Sequence, residues 1–380
     1  MIRVGFAPTF DSGWVGGLNY YRNLFLALAV ARDAEFAFTL FAGRSTNLGW
    51  VPDNVALRVV RSSLLDPGAP SNFLRRAMRR LLGHDVLLAG LASDVEVLSH
   101  SGPLGRERPR TVGWFPDLQH LHLPEFFSAA ERRARDRAVA QHLRGCDVLL
   151  VSSESARADL LGFPDAVEAT IVVLRFVATP PDTSRTPDTA AIRAKYSLPE
   201  RYLYLPNQFW VHKNHRLIVD ALLSAHGKGI CVVCTGDTRD YRRPGYYEEL
   251  AAAARPLGNA FRVLGLVPLA DTAALMRDAV AVINPSLFEG WSTTVEEAKS
   301  LGKRVLLSDI KVHREQAPER SRYFDPRVAE DAAKAMREAL DTYEPAEEVH
   351  AARDAANALP ARQRAFADTY LDAVRQAMNG

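Results

Sequence analysis

The stretch Ala279-Val-Ala-Val-Ile283-Asn284-Pro285-Ser286-Leu-Phe-Glu289-Gly290-Trp291-Ser292-Thr293-Thr294-Val-Glu296-Glu297-Ala-Lys-Ser-Leu-Gly302 decides the fold class. Its first five residues are a continuous apolar run closed by Asn-Pro, which reads as a buried strand ending in a loop. Beyond the loop, Thr293-Thr294-Val295-Glu296 fits a capping box, with Thr293 as N-cap and Glu296 reaching back to its amide, so a helix starts there. Glu296 is then structural. Glu297 lies about 100° further round the helix, placed to accept two hydrogen bonds from a vicinal diol. Glu289 sits at the carboxyl end of the strand. The amides of Gly290 to Thr294, with the positive end of the helix, suit an anionic group such as a diphosphate. Two glutamates near a helix start can also do no more than complement its dipole, and spacing alone leaves both readings open.

The same alternation runs along the whole chain. Apolar runs at Ile2-Phe6, Phe36-Phe41, Val55-Val60, Val86-Leu88, Val95-Leu98, Thr111-Phe115 and Val148-Ser152 read as a first strand series, with a Gly turn and a helix from Asn19 to Arg32 after the first run. A second series follows at Tyr202-Leu205, Ile230-Thr235, Phe261-Leu264, Ala279-Ile283 and Arg304-Ser308, interleaved with helical periodicities. Strand and helix in alternation predict parallel sheets covered on both faces. The polar, Pro-rich segment from Ala178 to Asp188 separates the series as a linker, and two doubly wound lobes joined this way predict a cleft at the carboxyl ends of their strands. Phe366, Tyr370, Leu371, Val374 and Met378 make an apolar helical stripe after Pro360.

At 380 residues the chain has room for two cores. A net charge of +2 is too small to imply nucleic acid. Cys231 and Cys234 lie in an apolar run without metal or redox partners and read, with Cys146, as buried residues. The opening Met1-Ile-Arg-Val-Gly-Phe is a first strand rather than a leader, and no apolar run of membrane-spanning length occurs, so a cytoplasmic protein is expected.

Glu289 and Glu297, with seven residues between them, Pro285-Ser286 before and Leu301-Gly302 after, resemble the Glu-seven-residues-Glu motif of the retaining glycosyltransferases of family 4. The resemblance covers nearly the whole chain. It implies a GT-B fold: a Rossmann-like acceptor-side domain over 1–178, a Rossmann-like nucleotide-sugar donor domain over 198–358, and a helix over 359–380 that returns to the first domain. It implies that Glu289 holds hydroxyls of the donor sugar and Glu297 the nucleotide ribose, with Gly290, Trp291, Ser292 and Thr293 lining the donor. Trp291-Ser292-Thr293-Thr294 departs from the pattern, since many members carry a second glycine and a proline there.

Further residues follow from the resemblance. Gly16-Gly17 match the glycines that approach the donor diphosphate. Lys213 matches a lysine that clamps it, while Gln208 stands where an arginine is usual, at a cost of about 1.5–3 kcal/mol if nothing compensates. His212 and His215 are candidates for that compensation, or else cap and pack. Gly236 and Val267 lie in turns near the phosphates and base. Pro116-Asp117 stands where many relatives have His-Asp, which makes Asp117 and His120 the acceptor-side candidates. His120 and His122 lack a third metal ligand at a recognisable spacing, and no metal is expected.

The resulting expectation is a metal-independent glycosyltransferase with Lys213 and Glu289 as catalytic residues. It would use no cofactor beyond a UDP- or GDP-linked sugar co-substrate. The acceptor would be a saccharide or a lipid-linked saccharide, in bacterial surface polysaccharide or lipopolysaccharide assembly. A nucleotide-sugar epimerase or hydrolase on the same fold, or an inactive sugar-nucleotide-binding subunit, are the alternatives. The basic amphipathic segment from Asn72 to Gly83 reads either as a core helix with a solvated arginine face or as a peripheral contact with the inner face of the cell membrane.

Overall fold

The computed structural model describes residues 1–8, 15–100, 102, 104, 109–164, 168–180 and 187–379. Gly13 and Trp14 of the first turn, and residues 181–186 of the Pro-rich linker, lie outside the described residues. The chain forms two compact units. One comprises Met1–His120, Ser128–Val177 and Pro360–Gly380; the other comprises Leu121–Phe127 and Ala178–Leu359.

Seven strands build the sheet of the first unit: β1 (Ile2–Phe6), β2 (Phe36–Ala42), β3 (Leu57–Arg61), β4 (Val97–Ser99), β5 (Arg110–Trp114), β6 (Val148–Val151) and β7 (Thr170–Val173). All neighbours are parallel, in the order β3-β2-β1-β4-β5-β6-β7, with Ile2 opposite Phe36 and Val4 opposite Val97. The apolar run Val86-Leu88 is helical rather than extended. The Asp85 carboxylate accepts from the Leu88 amide at 3.1 Å and caps a helix over Val86–Leu91, a signal that outweighs a short apolar run. The first helix starts at Val15, not Asn19, so Gly16 and Gly17 occupy its first turn.

The last helix is also longer than its stripe suggested, running from Pro345 to Asn379 with Pro360 inside it. Proline removes one helical hydrogen bond, but the helix is held on both sides of the gap. Before Pro360, Glu348 receives Lys303 Nζ at 2.8 Å and Arg320 Nη2 at 2.5 Å. After it, Phe366, Tyr370, Leu371 and Val374 are buried in the first unit, where Tyr370 stacks on Phe6 at 5.8 Å.

The second unit holds β8 (Leu203–Leu205), β9 (Val232–Cys234), β10 (Phe261–Val263), β11 (Ala281–Asn284), β12 (Val305–Ser308) and β13 (Ser321–Phe324), all parallel, in the order β10-β9-β8-β11-β12-β13. Alternate residues feed two cores. Leu203, Leu205, Val232, Ala281, Ile283 and Leu306 pack on one face, and Tyr204, Val233, Val282, Val305 and Leu307 on the other. Burial on both faces explains why these strands read as continuous apolar runs.

Candidate active site

In the second sheet the strand order reverses between β8 and β11, and open α/β sheets bind ligands in the crevice at such a switch point. Here the two strand ends are tied by side chains. Asn207, just past β8, donates through Nδ2 to Asn284 Oδ1 of β11 at 3.1 Å. Asn284 Nδ2 in turn lies 2.7 Å from Ser292 Oγ and 3.4 Å from Glu289 Oε1. Ser286 Oγ is 2.6 Å from Glu289 Oε1, and Thr294 Oγ1 donates to Asn207 Oδ1 at 3.1 Å.

Lys213 closes this network. Its Nζ lies 2.7 Å from Glu289 Oε1 and 2.9 Å from Oε2, with both side chains largely buried. The lysine ends a single 3-10 turn, Val211–Lys213, and Asn214 follows at φ 58°, a left-handed conformation that asparagine tolerates. Asn214 Nδ2 donates to the carbonyls of Pro285 and Pro326 at 3.1 and 2.9 Å, and the Leu287 amide donates to the His212 carbonyl at 2.8 Å. The lysine turn and the glutamate loop are thereby fixed to each other. Burial pushes the Glu289 carboxyl up, but Lys213 and His313, with Ser286, more than offset it and hold the group below the usual carboxylate range.

His313 was not singled out in the sequence. Its Nδ1 lies 2.9 Å from the Ser308 carbonyl, which can only accept, so Nδ1 carries the proton and Nε2 is the basic nitrogen. Burial lowers its pKa, against the pull of Glu289, and Nε2 has no hydrogen-bond partner among the described residues. Asn207, Asn284, Ser286 and Gln316 were likewise missed. Asn284-Pro285-Ser286 carried only a strand-end signal, and Gln316 comes from a separate helix.

The helix cap differs from the sequence reading. Ser292, not Thr293, is the N-cap; its Oγ accepts from the Val295 amide at 3.3 Å, and the helix spans Thr293–Ser300. The shift follows from Asn284 and Gln316. Asn284 fixes the Ser292 hydroxyl, and Gln316 brackets the Ser292 backbone, accepting from its amide at 3.2 Å and donating to its carbonyl at 3.0 Å. Glu296 is therefore one position past a capping box and instead receives Lys299 Nζ and Gln316 Nε2, each at 3.1 Å. It is still structural. Gly302 closes the helix at φ 67°, where a Cβ would meet the Ala351 carbonyl oxygen at 2.2 Å.

The remaining residues of this unit fall around the same strand ends. Glu297 is half-buried, and its carboxylate acts on Tyr204, whose hydroxyl is pushed up chiefly by burial and lies 2.7 Å from Thr235 Oγ1. Gly236, at φ 140°, leaves no room for a side chain: a Cβ would lie 2.5 Å from the Asn207 carbonyl oxygen. Its amide donates to Gly265 at 2.9 Å, so the glycine serves close strand-end packing. Gln208 and Val267 are half-buried, as are Gly290 and Thr293, while Trp291 is buried. His215 stacks on Phe209 at 4.1 Å, and burial pushes it down to about 3. His212 is depressed well below the usual range by burial, Lys213 and Arg242. Both imidazoles are neutral near pH 7 and do not replace the missing arginine charge.

The first unit carries the other candidates. Gly16 is exposed in the first helical turn, where amides have no intrahelical acceptor, and Gly17 is buried beside it. Asp117 accepts from the Gln119 amide at 3.0 Å and Arg135 Nη1 at 3.3 Å, and His120 Nε2 lies 3.1 Å from Asp136 Oδ1. Among the described residues no group of three or more His, Cys, Asp or Glu side chains is placed to hold a metal ion.

Two doubly wound parallel-sheet units, one with a charged polar cluster at its switch point, define an open-sheet α/β class in which strand ends at a switch point can hold a ligand. Residues 200–342 match the family described as glycosyl transferases group 1. No curated protein matches the sequence significantly. Among solved structures, sucrose-phosphate synthase from Thermosynechococcus elongatus is 16% identical, with a TM-score of 0.68, over 100% of this chain and 98% of that one. HepE from Anabaena, in complex with UDP and glucose, is 15% identical at a TM-score of 0.61, over 100% and 98%. WaaG, a glycosyltransferase involved in lipopolysaccharide biosynthesis, is 16% identical at 0.58, over 98% of each chain. Identities this low speak for the fold, which is GT-B. With the family match, the protein is a glycosyltransferase.

Proposed function

We propose that the protein is a retaining glycosyltransferase that moves a sugar from a UDP- or GDP-linked donor to a saccharide or lipid-linked saccharide acceptor, without a metal ion, in cytoplasmic assembly of a bacterial surface polysaccharide or lipopolysaccharide. The Lys213–Glu289 pair at the β8/β11 switch point carries the reading. Glu289 Oε1 is engaged by Lys213, Ser286 and Asn284, whereas Oε2 receives only Lys213 among these three, and Oε2 is the oxygen that would take a donor-sugar hydroxyl. Lys213 would share its remaining donors with the diphosphate, assisted by the amides of Gly290, Thr293 and Thr294. Glu297 would hold the ribose diol. The UDP of the Anabaena structures and the pathway named for WaaG support a nucleotide sugar and a surface-glycan acceptor respectively.

In the reaction the bond between the sugar's anomeric carbon and the diphosphate oxygen breaks, and the acceptor oxygen bonds that carbon on the same face. The acceptor's proton passes to the departing phosphate. The protein supplies positioning and stabilisation of the leaving charge through Lys213 and the helix dipole. Thermal unfolding with UDP, GDP and their sugars tests this, because a ligand of the folded state raises the midpoint. A rise with one nucleotide that is lost in Glu297→Ala is expected; no rise with any of them refutes the donor assignment.

A further inference from the structure

The helix over Pro70–Leu82 is folded inside out. Arg75 and Asn72 are its buried residues, and Arg75 Nε pairs with Asp85 at 2.8 Å with both side chains almost fully enclosed. Phe73, Leu74, Leu81 and Leu82 are instead 76, 55, 84 and 46% exposed. At 100° per residue, Phe73, Ala77, Leu81, Leu74, Met78 and Leu82 fill one continuous arc of about 180°, with buried Asn72 opposite its centre and buried Arg75 next to Leu82 at its edge. A core helix that buries this apolar face is thus excluded, since Phe73, Leu74, Leu81 and Leu82 face solvent together with Arg76 and Arg80.

We propose that this face docks on an anionic lipid surface. The arc is wide and apolar, and its edge is basic: Arg76 and Arg80 are exposed beside it, and the helix contains no acidic residue. Neither arginine has an ion pair among the described residues, and the neighbouring Asp85 is consumed by Arg75. That pairing of an outward apolar face with basic flanks is what an interfacial helix needs, with apolar side chains below the headgroups and arginines among them. A protein groove would favour an apolar stripe without uncompensated charge on its rim. Among the described residues no helix is long and apolar enough to cross a membrane, so the contact is peripheral. The buried Arg75–Asp85 pair fixes the rotation that presents the face.

Co-sedimentation of the full chain with phosphatidylglycerol vesicles and with neutral phosphatidylcholine vesicles, in low and high salt, tests the proposal. Binding to the anionic vesicles only, weakened by salt, is expected, with an at least tenfold loss in Phe73→Ser/Leu81→Ser and a smaller loss in Arg76→Gln/Arg80→Gln. These residues are exposed, and an unchanged thermal midpoint certifies the fold of each variant. Absence of binding, equal binding to neutral vesicles, or variants that bind like the parent overturn it. So does lipid-free self-association that the Phe73→Ser/Leu81→Ser variant abolishes, which assigns the face to a second copy.

Discussion

The two sheets reverse their strand order at equivalent places, between β1 and β4 in the first unit and between β8 and β11 in the second, yet their switch points are built differently. In the second, Asn207 and Asn284 join the strand ends and support a Lys213–Glu289 ion pair. In the first, among the described residues, the Ala7 amide donates to the Ser99 carbonyl at 3.1 Å, His100 Nδ1 lies 3.2 Å from the Ala7 carbonyl oxygen, and His100 Nε2 has no hydrogen-bond partner. Burial pushes His100 down to about 4, with Arg75 and Arg79 lowering it further against Asp85 and the Ala7 carbonyl. Among the described residues, a like strand order therefore carries a charged cluster in one unit and a neutral buried imidazole in the other. Topology chooses where a site is placed, and side chains choose what it can hold.

The strongest way to break this contrast is Lys213→Met. It leaves the Glu289 carboxylate buried without its cation, and about 3–5 kcal/mol of stability should be lost in urea unfolding. Lys213→Met/Glu289→Met removes both charges and should recover most of it. If the single variant is as stable as the parent, the second switch point is not held by the pair.

The first switch point predicts an acid dependence. An unfolded histidine protonates near pH 6.5, while folded His100 stays neutral to about 4, so between these values the unfolded state binds the extra proton and stability falls as pH falls. From pH 6.5 to 5 the loss from this residue should be about 2 kcal/mol. His100→Asn should remove that part of the slope, read from urea midpoints at pH 7 and 5. A slope identical to the parent's would show that His100 is not buried neutral.

The smallest effect is expected at Asp117, whose partner Arg135 is similarly accessible, with side-chain exposures of 31 and 33%. Asp117→Asn should change unfolding free energy by less than about 1 kcal/mol. Acceptor turnover is then the informative readout: a loss there at unchanged stability marks Asp117 as contacting the acceptor, and no loss removes it from that role.

Much of the second unit was legible because its strands are buried on both faces and announce themselves as apolar runs, with Glu289 and Lys213 at their ends. The cap was misplaced by one residue because Ser292, Thr293 and Thr294 are all competent caps, and the choice is made by Asn284 and Gln316, distant in sequence. Val86-Leu88 failed for a related reason: three apolar residues fit either element until Asp85 is seen to cap a helix. His313 and His100 had no sequence signal, since a lone histidine acquires meaning only through what encloses it.

Local pattern alone determined the two parallel α/β units and the glutamate spacing, because hydrophobic periodicity and turn chemistry are properties of neighbouring residues. Tertiary structure decided the rest: the closure of Lys213 onto Glu289 across 76 positions, and the outward rotation of the Pro70–Leu82 helix by the Arg75–Asp85 pair. Both depend on a charge finding its partner in a buried place. Burial is a property of the whole fold, and no window of sequence contains it.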